Sequence, residues 1–153
     1  MKQKSIGTSW HPDRGLLVTQ ISGEITINDI IQWEGTLSAA PAEIVDGMEF
    51  KILVDLFGFK AVDIQAHKRF RAVIPSMLSQ YGWKVGYVDL FPEQAASMVL
   101  SNLRQVRCIA AAHCHHDATK MELYQREFGR HHERFFTDVN QAQGWISSWK
   151  CLG

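Results

Sequence analysis

The sequence predicts an α/β domain: a mixed sheet, begun by an N-terminal hairpin and covered by helices. Three observations carry that prediction. Residues 50–55, Phe-Lys-Ile-Leu-Val-Asp, are a nearly unbroken apolar run, as expected of a strand buried on both faces. Residues 108–113, Cys-Ile-Ala-Ala-Ala-His, repeat the pattern in smaller side chains. Around these runs lie segments whose apolar residues recur every three or four positions, so helices alternate with strands. A strand buried on both faces is stable only in a sheet that helices cover on both sides.

Taken in order, residues 4–10 and 16–22 read as two strands joined by His11-Pro12-Asp13-Arg14-Gly15, where Pro, Asp and Gly supply turn chemistry. Thr26-Ile27-Asn28-Asp29 resembles a capping box. It opens a first helix with Ile27, Ile30, Ile31, Glu34 and Leu37 on one face, closed by Pro41. Gly47 leads into the central strand. From Val62 a second helix carries Phe70, Val73, Ile74, Met77, Leu78 and Tyr81, with a kink or a new turn at Pro75 and an end at Gly82. Residues 84–89 are the next predicted strand. Pro92 suits the first position of a third helix whose inner face is Ala96, Val99, Leu100 and Leu103.

Residues 108–113 then form an interior strand. Asp117 caps a fourth helix, with Met121, Tyr124 and Phe128 inward and Gly129 at its end. A short strand at 134–137 follows, and Asp138 caps a last helix whose Ala142, Trp145, Ile146 and Trp149 form one core-facing stripe. The predicted order is ββαβαβαβαβα, in one domain spanning residues 1–153.

Sixteen basic residues balance sixteen acidic ones, so no global field draws the chain to nucleic acid or an anionic membrane, and near-neutrality leaves room for a homodimer. Three cysteines, an odd number without CxxC spacing, argue against a disulfide framework and for a reducing compartment. No apolar run approaches the ~18 residues of a membrane span, and no signal-peptide pattern follows Met1. The expectation is a soluble, cytoplasmic, bacterial-type domain with no transmembrane segment.

His113-Cys114-His115-His116-Asp117, with His131-His132-Glu133 downstream, is the most unusual stretch. His113, His115 and His116 are nominal metal ligands, though their spacing matches no zinc signature. The alternatives are a strand-end histidine bonded to a neighbour, a solvated loop at 131–132, or a surface that charges on mild acidification. Because ligands of open α/β sheets sit at strand carboxyl ends, Asp55 and Lys120 join the candidates. Lys60, His67, Lys68, Arg69 and Arg71 form a basic cluster at the start of the second helix, suited to an anion, an acidic partner face or a lipid headgroup, or else simply a solvated helix face. Phe57 and Phe59 flank Gly58 and either form an exposed docking patch or pack under the second helix. Cys108 and Cys114 read as inert. GxSxG, Walker and GxGxxG motifs are absent, so the sequence calls for no catalytic set and no cofactor.

The N-terminal hairpin, Gly23-Glu24-Ile25-Thr26, Ile52-Leu53-Val54-Asp55, Lys84-Val85-Gly86-Tyr87-Val88 and the closing Arg134-Phe135-Phe136-Thr137-Asp138 through Ala142 and Trp145 together resemble the SpoIIAA-like, STAS-type domains, in their bacterial STAS/SEC14-like branch. The resemblance spans residues 5–149. It implies a SpoIIAA-like sheet and a phosphate-accepting serine at the start of the helix after the central strand. Here Asp63 matches the acidic position, but Ile64 and Gln65 stand where hydroxyls would be, and no serine occurs between Pro41 and Pro75. The resemblance therefore implies a non-enzymatic regulatory or protein-interaction module without the phosphoacceptor. The alternatives are a domain binding a small apolar or anionic ligand and, behind it, a metal site at His113, His115 and His116 or a hydrolytic enzyme.

Overall fold

A computed structural model describes residues 3–150. Its strands are β1 (Ser5–His11), β2 (Leu16–Ile25), β3 (Glu49–Asp55), β4 (Phe59–Ala61), β5 (Arg107–Cys114) and β6 (Glu133–Phe136), and its helices are α1 (Ile27–Ala39), α2 (Ile64–Ser79), α3 (Pro92–Ser97), α4 (Ala118–Phe128) and α5 (Val139–Ser148). The sheet runs β1-β2-β3-β5-β6, with β4 beside the end of β2. The β1–β2 hairpin is antiparallel and every other pairing parallel. The mixed α/β sheet foreseen from the sequence is present, and β3 and β5 are inner strands.

The parallel run puts helices on both faces. On one face, Leu17 and Ile21 of β2 and Ile52 and Val54 of β3 pack against Trp33 of α1 and Val73, Ile74 and Leu78 of α2. On the other, Leu53, Ala110, Ala112 and Cys114 pack against Ala142 and Ile146 of α5, with Trp145 and Trp149 partly buried beside them. Lys51 interrupts the apolar run for a reason: its ammonium donates to the carbonyls of Ser147 (3.1 Å) and Trp149 (3.3 Å), capping the negative end of α5.

Four expectations are corrected. Residues 84–89 are not a strand; Gly86–Leu90 is a 3-10 turn. Val85 and Val88 are both fully buried, and a three-residue spacing shares a side in a tight helix but not in a strand. The sixth strand is instead β4, which needs Gly58 in the left-handed region (φ 88°) to double back, with the Gly23 N–H bonding to the Gly58 carbonyl at 3.0 Å. α3 stops at Ser97, and Val99, Leu100 and Leu103 are exposed rather than inward. There the chain runs extended, because the N–H groups of Ser101 and Leu103 bond to the carbonyls of Ser79 and Gln80 at the end of α2. On α1 the inward face is Ile30, Trp33 and Leu37, while Ile27 and Ile31 are exposed. Trp33 wins that face because its indole N–H also meets the buried Thr19 hydroxyl at 2.7 Å. The order is thus ββαββααβαβα.

The capping predictions hold. Thr26 and Asp29 form a reciprocal box, and Asp117 and Asp138 each accept an N–H of the first turn of their helix; Asp63 does the same for α2, a cap not foreseen from the sequence. α2 continues through Pro75 as one helix. No helix among the described residues is long and apolar enough to cross a membrane.

Candidate functional site

Parallel strands deliver their carboxyl ends to one rim of the sheet, and there a cleft opens between α2, α4 and the 3-10 turn. Its cavity volume is about 70 Å³ and its lining is mostly apolar. Its floor is His113 and Phe135, from adjacent strands. Phe70, Arg71 and Ile74 of α2 form one wall, Lys120, Met121 and Tyr124 of α4 another, and Tyr87 and Phe91 the roof. His67 and His115 stand at its mouth.

At the floor, His113 is 4% exposed and Glu133 not at all. The His113 Nε2 lies 2.8 Å from Glu133 Oε2. Glu133 Oε1 accepts from the Gly86 N–H at 3.1 Å and from the guanidinium of Arg130. Burial alone would raise the Glu133 pKa, but His113 and Arg130 more than offset it and hold the group below the usual carboxylate range. Glu133 is therefore a carboxylate and Nε2 carries the proton it accepts; in a neutral imidazole the lone pair is then on Nδ1. Nδ1 bonds to no described residue. The ring is held in one orientation, stacked on Phe135 (4.6 Å, 12°) and edge-on to Tyr87 (5.7 Å).

The cations around the cleft are short of anions. The Arg71 guanidinium lies over Phe91 (5.2 Å), and its buried Nε has no hydrogen-bond partner. Lys120 Nζ lies over the Tyr124 ring (5.5 Å). Neither side chain forms an ion pair among the described residues. Burial pulls the Lys120 pKa down, with Asp117 only partly restoring it. His67 is lowered by burial, then by Arg71 and Lys120. His115 is lowered to about 4 by burial, then by His116 and Lys120. Burial is the largest cause of all three shifts, and neighbouring cations add to it at His67 and His115.

Of the residues singled out from the sequence, His67, Arg71, His113, His115 and Lys120 meet in this cleft. The others do not. Asp55 points to the α5 face, where it accepts from the Phe57 N–H (3.0 Å) and the Gln20 amide (3.3 Å), a turn-forming role. Phe59 is buried and stacked on Phe70 (4.1 Å, 21°), whereas Phe57 is 47% exposed, so the two readings of the pair split one to each residue. Lys60 and Lys68 are exposed, and Arg69 pairs with Glu34 across the α1–α2 surface (2.8 Å). The metal set is corrected: no group of three potential ligands converges among the described residues. His113 is turned to Glu133, while His115 and His116 stack on each other (4.2 Å) and accept the N–H groups of Asp117 and Gly58. A strand-end histidine bonded to a neighbour is the reading that holds for His113.

Tyr87, Phe91 and Phe135 went unnoticed as site residues, and Glu133, named beside His131 and His132, was given no role. A signal for Glu133 existed: it shares the inward register of β6 with Phe135, and an acid in that register needs a partner. No family model, curated protein or solved structure matches the chain.

Proposed function

We propose that the domain binds a small amphiphilic anion, a carboxylate or phosphate on an apolar body, in the cleft above His113. One observation carries the reading: two cations without carboxylate partners, Arg71 and Lys120, line a cavity otherwise walled by aromatic and aliphatic side chains. A desolvated cation is costly unless something neutralises it, and an apolar wall selects for a ligand with a body. The SpoIIAA-like reading is compatible: a hairpin leads into parallel strands, and Asp63, Ile64 and Gln65 open α2 with a cap but no hydroxyl to phosphorylate. Native mass spectrometry of gently desalted protein tests the proposal. A retained anion displaced by millimolar phenylpyruvate, and weakened binding in Lys120→Met, are the expected results. Protein that retains nothing and binds no aromatic carboxylate overturns it.

A second reading, docking of a protein partner at the start of α2, draws on Phe57, Val62 and Ile64, which are 47%, 48% and 66% exposed at one end of the sheet. Charge reversal at Lys60 and Lys68 that leaves partner capture unchanged would count against it.

A further inference from the structure

We propose that the cleft is catalytic, with His113 as a general base that enolises a bound carbonyl compound carrying an acid group. The inference rests on the anion-binding reading and goes beyond it to a reaction.

Three observations converge. First, the domain buries an ionisable pair, His113 and Glu133, in its core at 2.8 Å. Well-packed apolar residues would serve stability at least as well, so a buried pair opening on a cleft is a candidate for chemistry. Second, the pair has the arrangement that activates an imidazole: the carboxylate fixes a proton on Nε2, so that Nδ1 is the basic nitrogen of the neutral ring, while Phe135 and Tyr87 fix the ring plane. Third, the groups that would receive charge share the same cavity. Arg71 and Lys120 supply positive charge, and Tyr87 and Tyr124 are phenols kept protonated by burial. Such donors stabilise an oxygen that gains charge in the transition state.

The lining also limits the reaction class. It contains no serine or threonine, and the Cys114 thiol belongs to the cluster under α5, pushed up to about 12 by burial and by Asp55 and Asp138. Acyl transfer through a serine, threonine or cysteine is therefore not on offer. Removal of a proton from carbon is. Nδ1 takes a hydrogen from the carbon next to a ketone, and the C–H electron pair becomes the C=C bond of the enolate. The carbonyl π pair moves to oxygen, where the phenols and ammonium hold it. The imidazolium, balanced by Glu133, then returns the proton to oxygen or to carbon. Atoms and electrons balance with no co-reactant. The substrate class is a 2-oxo acid or similar carbonyl compound with an aromatic or branched body, its acid group toward Arg71 and Lys120.

The probe is phenylpyruvate in D2O, followed by NMR through loss of its benzylic proton signal. Full-length protein is expected to speed exchange roughly 100-fold over the same buffer, a typical contribution from a positioned base. His113→Gln should abolish the acceleration while phenylpyruvate still binds. Glu133 is a positioning residue, so Glu133→Gln should slow exchange and lose the Nε2–H tautomer seen in the imidazole 15N spectrum. Should either variant fail to fold, the wild-type spectrum alone decides: a proton on Nδ1 and a bare Nε2 would overturn the assignment of the base. Binding without accelerated exchange overturns the catalytic inference and leaves the binding reading standing. Absence of phenylpyruvate binding at millimolar concentration overturns both.

Discussion

The two faces of β5 meet different surroundings. Toward α5 the strand presents Ala110, Ala112 and Cys114, all fully buried against Ala142 and Ile146. One residue out of phase, it presents Ala111 and then His113, which opens on the cleft. Small side chains on the first face let the helix sit close, and the thiol there is an unreactive space-filler. On the second face the neighbours are rigid rings. Tyr87 meets Phe91, His113 and Phe135 edge-on at 5.7–6.3 Å. Rings that meet edge to face do not interdigitate as aliphatic chains do, and the cleft is the space they leave. Strand alternation therefore keeps a dry, inert face and a polar, open one on the same eight residues.

The sharpest way to break that contrast is at the floor of the cleft. Glu133→Ala should lose about 3–5 kcal/mol in urea unfolding, because it leaves the buried His113 without its partner and removes the acceptor of the Gly86 N–H. A loss under ~1 kcal/mol would mean that water already reaches the pair. On the dry face, Ile146→Ala should lose about 2–5 kcal/mol with phenylpyruvate affinity unchanged in the folded fraction. A selective loss of affinity there would erase the distinction between the faces.

Acid should act on the cleft face. Between the ordinary histidine value of 6.5 and the folded value of about 4 for His115, the unfolded chain binds more protons than the folded one. Stability must then fall as pH drops through that window; His67, lowered likewise, adds to the fall, and Glu133, lowered from 4.5, continues it further down. Denaturation midpoints flat between pH 6.5 and 4.5 would contradict this. A smaller stability effect is expected of Lys120→Met, within ~1 kcal/mol of wild type because a desolvated charge is removed, yet with binding weakened roughly tenfold. Smallest of all, Arg69→Ala should change stability by under ~0.5 kcal/mol, since its pair with Glu34 is exposed.

Much of the fold was legible because its signals are local. Continuous apolar runs identified β3 and β5, and the caps at Thr26, Asp117 and Asp138 lie within three residues of the groups they bind. The failures have a non-local origin. Residues 84–89 are as apolar as a strand but have no strand to pair with. The stretch around Val99 follows a helical period, yet the carbonyls at the end of α2 claim its backbone. β4 is three residues long, too short to show a period. At the site, Arg71, His113 and Lys120 stood out by type, whereas Glu133 and Tyr87 matter through partners 20 and 26 positions from His113. Sequence spacing carries no trace of such neighbours.

The same carboxylate that anchors the imidazole also pins the covering turn, since Gly86 donates to it directly. Swinging the Tyr87 segment outward would leave a fully enclosed oxygen one donor short, a penalty of about 1–3 kcal/mol. Traffic in and out should accordingly pass the mouth, where His67 and His115 face solvent between two helices. The covering segment behaves as a fixed lintel rather than a door, so crowding the threshold with a bulky residue at position 67 should slow entry and exit alike and leave the equilibrium affinity nearly untouched.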